Sequence, residues 1–162
     1  MLIRHAEKPN DSPPPFGVKE DGAQSQHALL VKGWQRAGAL VAFFSAPTLA
    51  EIAVPTYLYA PSDDARSIQT IAPLARRLGV TADQTAAVGD EASLAASITL
   101  RDGVVLVAWE HKHIPLIANR FTSNAPKVWP GDRFDVVWVL DRQSSGSHSF
   151  VQVPQTLLAG DS

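Results

Sequence analysis

The sequence predicts an α/β fold, namely a three-layer α/β/α sandwich around a mostly parallel central sheet with an antiparallel edge. Strand and helix patterns alternate through most of the chain, which is typical of parallel sheets covered by helices. The last two strand patterns follow one another directly, which favours an antiparallel edge. The length of 162 residues suits a single domain spanning residues 1–162.

Four short apolar runs are predicted to be strands that are buried on both faces. They cover residues 2–3, 57–59, 104–108 and 136–139. A final strand is expected over residues 149–153, joined to its neighbour by a hairpin turn at residues 143–147. Residues 1–3 have the pattern of a strand's end rather than its start, so we expect further residues upstream of them.

Helical periodicity is present in four segments, at residues 32–44, 65–78, 91–100 and 113–121. The second segment follows a run of helix-capping residue types and precedes Gly79, a common C-terminal stop. Pro115 fits the first turn of the fourth segment. Residues 10–26, by contrast, combine prolines, glycines and polar residues without periodicity, and we expect an irregular loop there.

Composition excludes several classes of function. The chain has 14 Lys and Arg against 16 Asp and Glu, and this balance argues against nucleic-acid binding. It has no Cys, which excludes disulfides, thiolate nucleophiles and thiolate metal sites. No apolar run approaches the roughly 18 residues of a membrane helix, and charged residues among the first eight lead us to expect no signal peptide there. We therefore expect a cytoplasmic protein without a membrane partner.

Ionisable side chains follow several of the predicted strands at the point where each strand ends. In open α/β sheets, sites form beyond the C-terminal ends of the strands, so these side chains are expected to converge. The residues concerned are Arg4, His5, Arg66, Glu110, His111 and His113. Arginine forks and imidazoles together suit a dianionic phosphate, since the forks bind its oxygens and an imidazole can attack phosphorus.

Three sequence blocks, in order, resemble the histidine phosphatase superfamily, which includes phosphoglycerate mutases and acid phosphatases. The superfamily's Arg-His-Gly/Ala signature is similar to LIRHAEK at residues 2–8. Its second block, with an Arg shortly before Gln-Thr, is similar to APS at residues 60–62 followed by RSIQTIA at residues 66–72. The strand that ends in the second catalytic His is similar to VLVAWEH at residues 105–111.

This resemblance implies a role for each matching residue. His5 would accept the phosphoryl group as a phosphohistidine, and Arg4 and Arg66 would bind the phosphate oxygens. A second histidine would hydrogen-bond the same oxygens. We favour His111 for this role because it follows the strand directly, with His113 at the mouth of the pocket, binding substrate or capping the next helix with its ring. His113 is also the alternative catalytic residue, since some relatives have an apolar residue and Pro after this His.

The general acid is less well specified by the motifs. Mutase-like relatives carry a Glu in the middle of the chain, and Glu91 is the nearest equivalent. Asp90, Glu7 and Glu110 are the alternatives. The resemblance implies neither a metal ion nor a cofactor, and the His111–His113 spacing differs from the usual helical spacing of metal ligands.

We therefore expect a metal-independent phosphomonoester hydrolase that acts through a phosphohistidine on His5. Its substrate would be a small phosphorylated molecule or a phosphoprotein. The alternatives are a phosphomutase of the same superfamily and a non-catalytic domain that binds phosphorylated ligands or proteins. The sequence does not indicate an oligomeric state.

The charged residues at position 66 and at positions 132–135 also have simple structural explanations. Arg66 could cap its helix or pair with Asp63 or Asp64. Residues 132–135 (DRFD) are expected to form a polar turn with a local ion pair. Neither explanation requires a ligand.

Overall fold

A five-stranded mixed sheet runs through the middle of the computed structural model, which describes residues 1–162. The strands are β1 (Leu2–Arg4), β2 (Gly17–Val18), β3 (Gln24–Ser25), β4 (Tyr57–Tyr59), β5 (Val105–Trp109), β6 (Val136–Arg142) and β7 (His148–Pro154). The central sheet has the order β4-β5-β1-β6-β7. Strands β4, β5 and β1 are parallel, whereas β6 and β7 are antiparallel to their neighbours. The predicted mostly parallel sheet with an antiparallel edge is confirmed.

Four helices cover the sheet: α1 (Val31–Ser45), α2 (Ala65–Leu78), α3 (Glu91–Thr99) and α4 (Ile114–Ala118). Helices α1 and α2 pack on one face of the sheet, where Leu40 and Leu74 share a core with Ile3. Helices α3 and α4 pack on the other face, where Leu94 and Ile117 share a second core with strand residues. Successive strand residues point to opposite faces, and this alternation divides the apolar residues between the two cores. The three-layer arrangement is thus confirmed.

No helix combines the length and the apolar character that crossing a bilayer requires.

The register between β1 and β5 determines where the strand ends lie. Both strands are buried along their whole length, as their continuous apolar sequences predict. The pairing sets Leu2 opposite Val107 and Arg4 opposite Trp109. Each strand is therefore followed by its loop at the same edge of the sheet.

The structure differs from the sequence prediction in the segment 10–26. The predicted irregular loop contains the short antiparallel pair of β2 and β3, which is closed by a turn with Gly22 at φ 85°. Two residues per strand are too few to produce a recognisable alternation in sequence. Helix α4 is also shorter than the predicted 113–121, because the residues after Ala118 form turns.

A buried ion network holds the loop after β1 against α1. Arg36, which is 2% exposed, donates to both carboxylate oxygens of Glu7 and to both of Asp161. These bonds are charge-assisted, and removing either partner would leave an uncompensated buried charge. Helix α1 packs so close to the loop after β1 that a Cβ at Gly33 would lie 2.4 Å from the Glu7 carbonyl oxygen.

We predict that Gly33→Ala destabilises the protein by about 1–3 kcal/mol, because the added methyl group overlaps the backbone of the β1–α1 loop. Gly38→Ala is the matched control on the same helix, since nothing lies within 4 Å of a Cβ there. That variant should be stabilised by about 0.5–1 kcal/mol through the higher helix propensity of alanine. Urea unfolding of both variants measures the difference, and equal effects would contradict the close approach.

Candidate active site

His5 is the first residue after β1 and is 1% exposed. Its backbone N–H donates to the Trp109 carbonyl at the end of β5. The ring Nδ1 lies 2.8 Å from the Ala6 carbonyl oxygen. Because a carbonyl can only accept, Nδ1 carries the proton of this hydrogen bond. The neutral ring then keeps a free lone pair on Nε2.

Burial lowers the pKa of His5 to about 4. The hydrogen bond to Ala6 and the carboxylate of Asp64 act in the opposite direction, while the charges of Arg4 and Arg66 lower the pKa further. The imidazole is therefore neutral at pH 7, and only a neutral imidazole can act as a nucleophile.

Arg4 is the last residue of β1, and its side chain lies beside His5. It is 4% exposed, and burial lowers its pKa to about 10, so the guanidinium stays charged at neutral pH. Its Nη1 donates to the Gly131 carbonyl, and its Cζ lies 3.8 Å from the centroid of the Phe134 ring. Its buried Nε has no hydrogen-bond partner.

Arg66 reaches the same edge from the first turn of α2. Asp64 caps this helix by accepting from the Arg66 backbone N–H, and it also accepts from Arg66 Nε at 3.3 Å. The local pairing expected from the sequence is thus present, and it leaves the two terminal guanidinium nitrogens without a protein partner. Thr70 ties α2 to the His5 loop, since its hydroxyl accepts from the Ala6 N–H and donates to the Arg66 carbonyl. The positive charge of Arg66 also lowers the pKa of Arg4.

His111 lies two residues beyond the end of β5, with its ring centroid 6.5 Å from that of His5. Glu110 Oε1 lies 2.8 Å from His111 Nδ1, an ion-pair distance, although the two atoms are not aligned for a hydrogen bond. Burial, followed by the charge of Arg4, lowers the pKa of His111. The structure therefore brings His111 together with His5 and Arg4.

His113 and Glu91 form a separate pair. His113 Nδ1 lies 2.8 Å from Glu91 Oε1, and this oxygen also accepts from the Gly89 N–H and the Trp109 indole. Burial alone would raise the pKa of Glu91, but these bonds and the charge of His113 give a net lowering. No hydrogen bond or ion pair joins Glu91 to His5 or to the arginines.

The ring of His113 does not cap α4, contrary to the expectation from the sequence. His113 occupies the N-cap position, but its side chain makes no capping bond. The ring pairs instead with the buried carboxylate of Glu91. Glu91 lies on α3, 22 residues before His113, so the local sequence around His113 does not record this contact.

The other carboxylates considered as general acids have different surroundings. Glu7 is bound to Arg36, away from the His5 ring. Asp90 Oδ2 accepts from the Ala87 N–H at 3.5 Å. Glu110 is the carboxylate whose charge acts most strongly on Arg4. No group of three or more His, Asp or Glu side chains is arranged to hold a metal ion.

Two site residues were not identified from the sequence. Asp64 is 8% exposed, and its pKa is lowered because its bonds to Ser67 and Arg66 and the nearby His5 outweigh its burial. Its capping position before Arg66 was the available signal. Phe134 stacks on Arg4 and lies 6.0 Å from the His5 ring. No local signal marked Phe134, although the expected ion pair beside it, between Arg133 and Asp135, is confirmed at 2.6 Å.

The fold and this cluster together define a class of protein, an α/β sandwich that collects arginines and histidines beyond its parallel strands. Among solved structures, the chain is similar to the protein histidine phosphatase SixA complexed with tungstate, with a TM-score of 0.63 at 15% identity. The likeness covers 95% of each chain. No protein-family model and no curated protein sequence matches the chain. The chain thus shares its fold with this solved structure, and it is the fold that the sequence motifs predicted.

The low pKa of His5 predicts a pH-dependent loss of stability. The folded-state pKa of about 4 lies below the unfolded value of about 6.5, so the unfolded state binds a proton first as the pH falls. Between pH 7 and pH 5, the wild type should lose roughly 1–2 kcal/mol more unfolding free energy than His5→Gln, which has no titrating ring. Urea unfolding at both pH values measures this difference. Equal losses would mean that His5 titrates in the folded protein as it does in water.

Proposed function

We propose that the protein is a phosphatase that transfers a phosphoryl group from its substrate to His5 and then to water. Buried polar atoms without hydrogen-bond partners support this proposal. Such atoms are rare in folded proteins, and each requires an explanation. Arg4 Nε, beside His5, is such an atom, whereas the other, His111 Nδ1, already has a Glu110 carboxylate oxygen 2.8 Å away. An oxygen of a bound phosphoryl group would supply the acceptor that Arg4 Nε lacks.

His5 is suited to the first step by its protonation state. With the proton held on Nδ1 by the Ala6 carbonyl, Nε2 attacks phosphorus, and the bond between phosphorus and the leaving oxygen breaks. The electron pair leaves with that oxygen, which then takes up a proton. Water next attacks the phosphohistidine, the N–P bond breaks, and inorganic phosphate is released together with the neutral imidazole.

The two arginines and His111 supply the electrostatic part of the mechanism. Phosphoryl transfer depends mainly on positioning and on compensating the charge of the equatorial oxygens. The unpartnered Nε of Arg4 and the terminal nitrogens of Arg66 offer N–H donors for these oxygens. These groups are fixed before the substrate binds, so they need little reorganisation during the reaction.

The leaving oxygen needs a proton, and the structure does not identify a carboxylic acid that donates it. Glu91 stays a prediction for this role, but its lowered pKa and its three donors favour the ionised form, which cannot give a proton. Substrates with good leaving groups, which do not depend on a general acid, therefore fit this site best. Aryl phosphates and phosphohistidine on a partner protein belong to this class. Phosphohistidine is also consistent with the activity named for SixA.

The cytoplasmic location and the absence of nucleic-acid partners stay predictions from the sequence. They affect only which phosphorylated molecules the protein meets.

His5→Ala should abolish phosphatase activity, because it removes the neutral imidazole that takes the phosphoryl group in the proposed reaction. The experiment compares wild type and variant on a panel of aryl, alkyl and histidine phosphates without added metal. Circular dichroism serves as the folding control. Retention of more than a few per cent of the activity would contradict the proposal. A wild type that binds tungstate and hydrolyses no substrate would support a phosphate-binding domain instead.

His111→Ala should lower kcat/KM by roughly 10²–10³-fold, by analogy with the loss of one oxyanion-hole donor. His113→Ala should cost less than about tenfold on the same comparison, since its ring is bound to Glu91. Steady-state kinetics on one aryl phosphate distinguish the two variants. The reverse order of effects would assign the second catalytic histidine to His113.

A further inference from the structure

The segment 129–135 lies against Arg4 and makes two contacts with its guanidinium group. The Gly131 carbonyl accepts from Nη1, and the Phe134 ring covers one face of the guanidinium at 3.8 Å. We call residues 129–135 the Arg4 clamp. An arginine side chain has several rotatable bonds, and these two contacts together restrict its rotation.

The Arg4 clamp is anchored in the core independently of Arg4. Trp129 is 2% exposed, its ring centroid lies 4.9 Å from that of Trp138, and its indole donates to the Arg133 carbonyl. Arg133 also forms two hydrogen bonds with the Asp135 carboxylate. Phe134 is therefore held in place by its neighbours and can act as a fixed surface for a movable side chain.

Phe134 itself contributes little to the core. The ring is half-buried and belongs to none of the three hydrophobic clusters of the protein. Its aromatic contacts are with Arg4 and His5, the two residues at the centre of the site. An apolar ring outside the core whose aromatic and cation–π contacts are with site residues is better explained by the site than by stability.

The geometry of Arg4 shows what the ring can do. Stacking occupies a face of the guanidinium and leaves its N–H edges free, and these edges are the part that binds oxyanions. One terminal nitrogen is held by Gly131, while Nε is buried without a partner. A guanidinium held in this way is oriented before an anion arrives.

We propose that Phe134 is a positioning residue that fixes the Arg4 guanidinium for binding of the phosphoryl oxygens. The inference rests on the proposed function, because it takes the anion at Arg4 to be the phosphoryl group. Phe134 acts on the anion through Arg4 and does not bind it directly.

The test measures binding of tungstate, a tetrahedral oxyanion, by isothermal titration calorimetry. Phe134→Leu keeps an apolar side chain and removes the aromatic face, so the Kd should rise about three- to thirtyfold. Phe134→Tyr keeps the ring and should restore binding to within about twofold of wild type. Phe121→Leu is the control, because Phe121 is also half-buried but packs against a core cluster and stacks on His148 rather than on a site residue. It should leave the Kd unchanged.

A double-mutant cycle with Arg4→Lys separates positioning from a direct or structural effect. Lysine keeps the charge but has no planar group to stack, so Phe134→Leu should change the Kd less than about twofold in this background. A loss as large as in the wild-type background would overturn the proposal. So would an unchanged Kd for Phe134→Leu alone, while the proposed function would stand if the wild type binds tungstate and hydrolyses phosphate esters. A wild type that does not bind tungstate would overturn both.

Discussion

The parallel pairing of β1 with β5 is the constraint on which the candidate site depends. It sets Arg4 opposite Trp109, so the loops that follow the two strands start side by side. The ring centroids of His5 and His111 then lie 6.5 Å apart, although the two residues are distant in sequence. A change of register by one residue would turn the side chains to the opposite faces of the sheet. The buried apolar residues of both strands prevent such a change, so the two cores fix the geometry of the site.

The concentration of positive charge at this edge is costly, and the surrounding structure compensates for part of it. Burial disfavours the charged form of Arg4 and the protonated form of His5. Asp64 and Glu110 offset this with negative charge, and the Gly131 carbonyl adds a dipole. None of these groups accepts a hydrogen bond from Arg4 Nε. The compensation therefore stabilises the site without occupying the donors that an oxyanion would need.

Residues outside the site also stabilise it, because they hold its loops in place. Arg36 ties the loop after His5 to α1 and to Asp161, and Thr70 ties the same loop to α2. Trp129 fixes the Arg4 clamp against Trp138. These contacts come from three different parts of the chain. A site assembled in this way keeps its geometry only while both faces of the sheet stay packed.

The sequence by itself determined the α/β architecture and the residues at the strand ends, because these depend on local patterns. Apolar runs of strand length mark β1 and β5; Arg4 ends β1, His5 follows it, and His111 comes two residues after β5. Only the tertiary structure decided the partners of these residues. Phe134 reaches Arg4 because Trp129 packs in the core, and Glu91 takes the ring of His113 from another helix. Such contacts join residues far apart in sequence, and no local periodicity records which of them will meet.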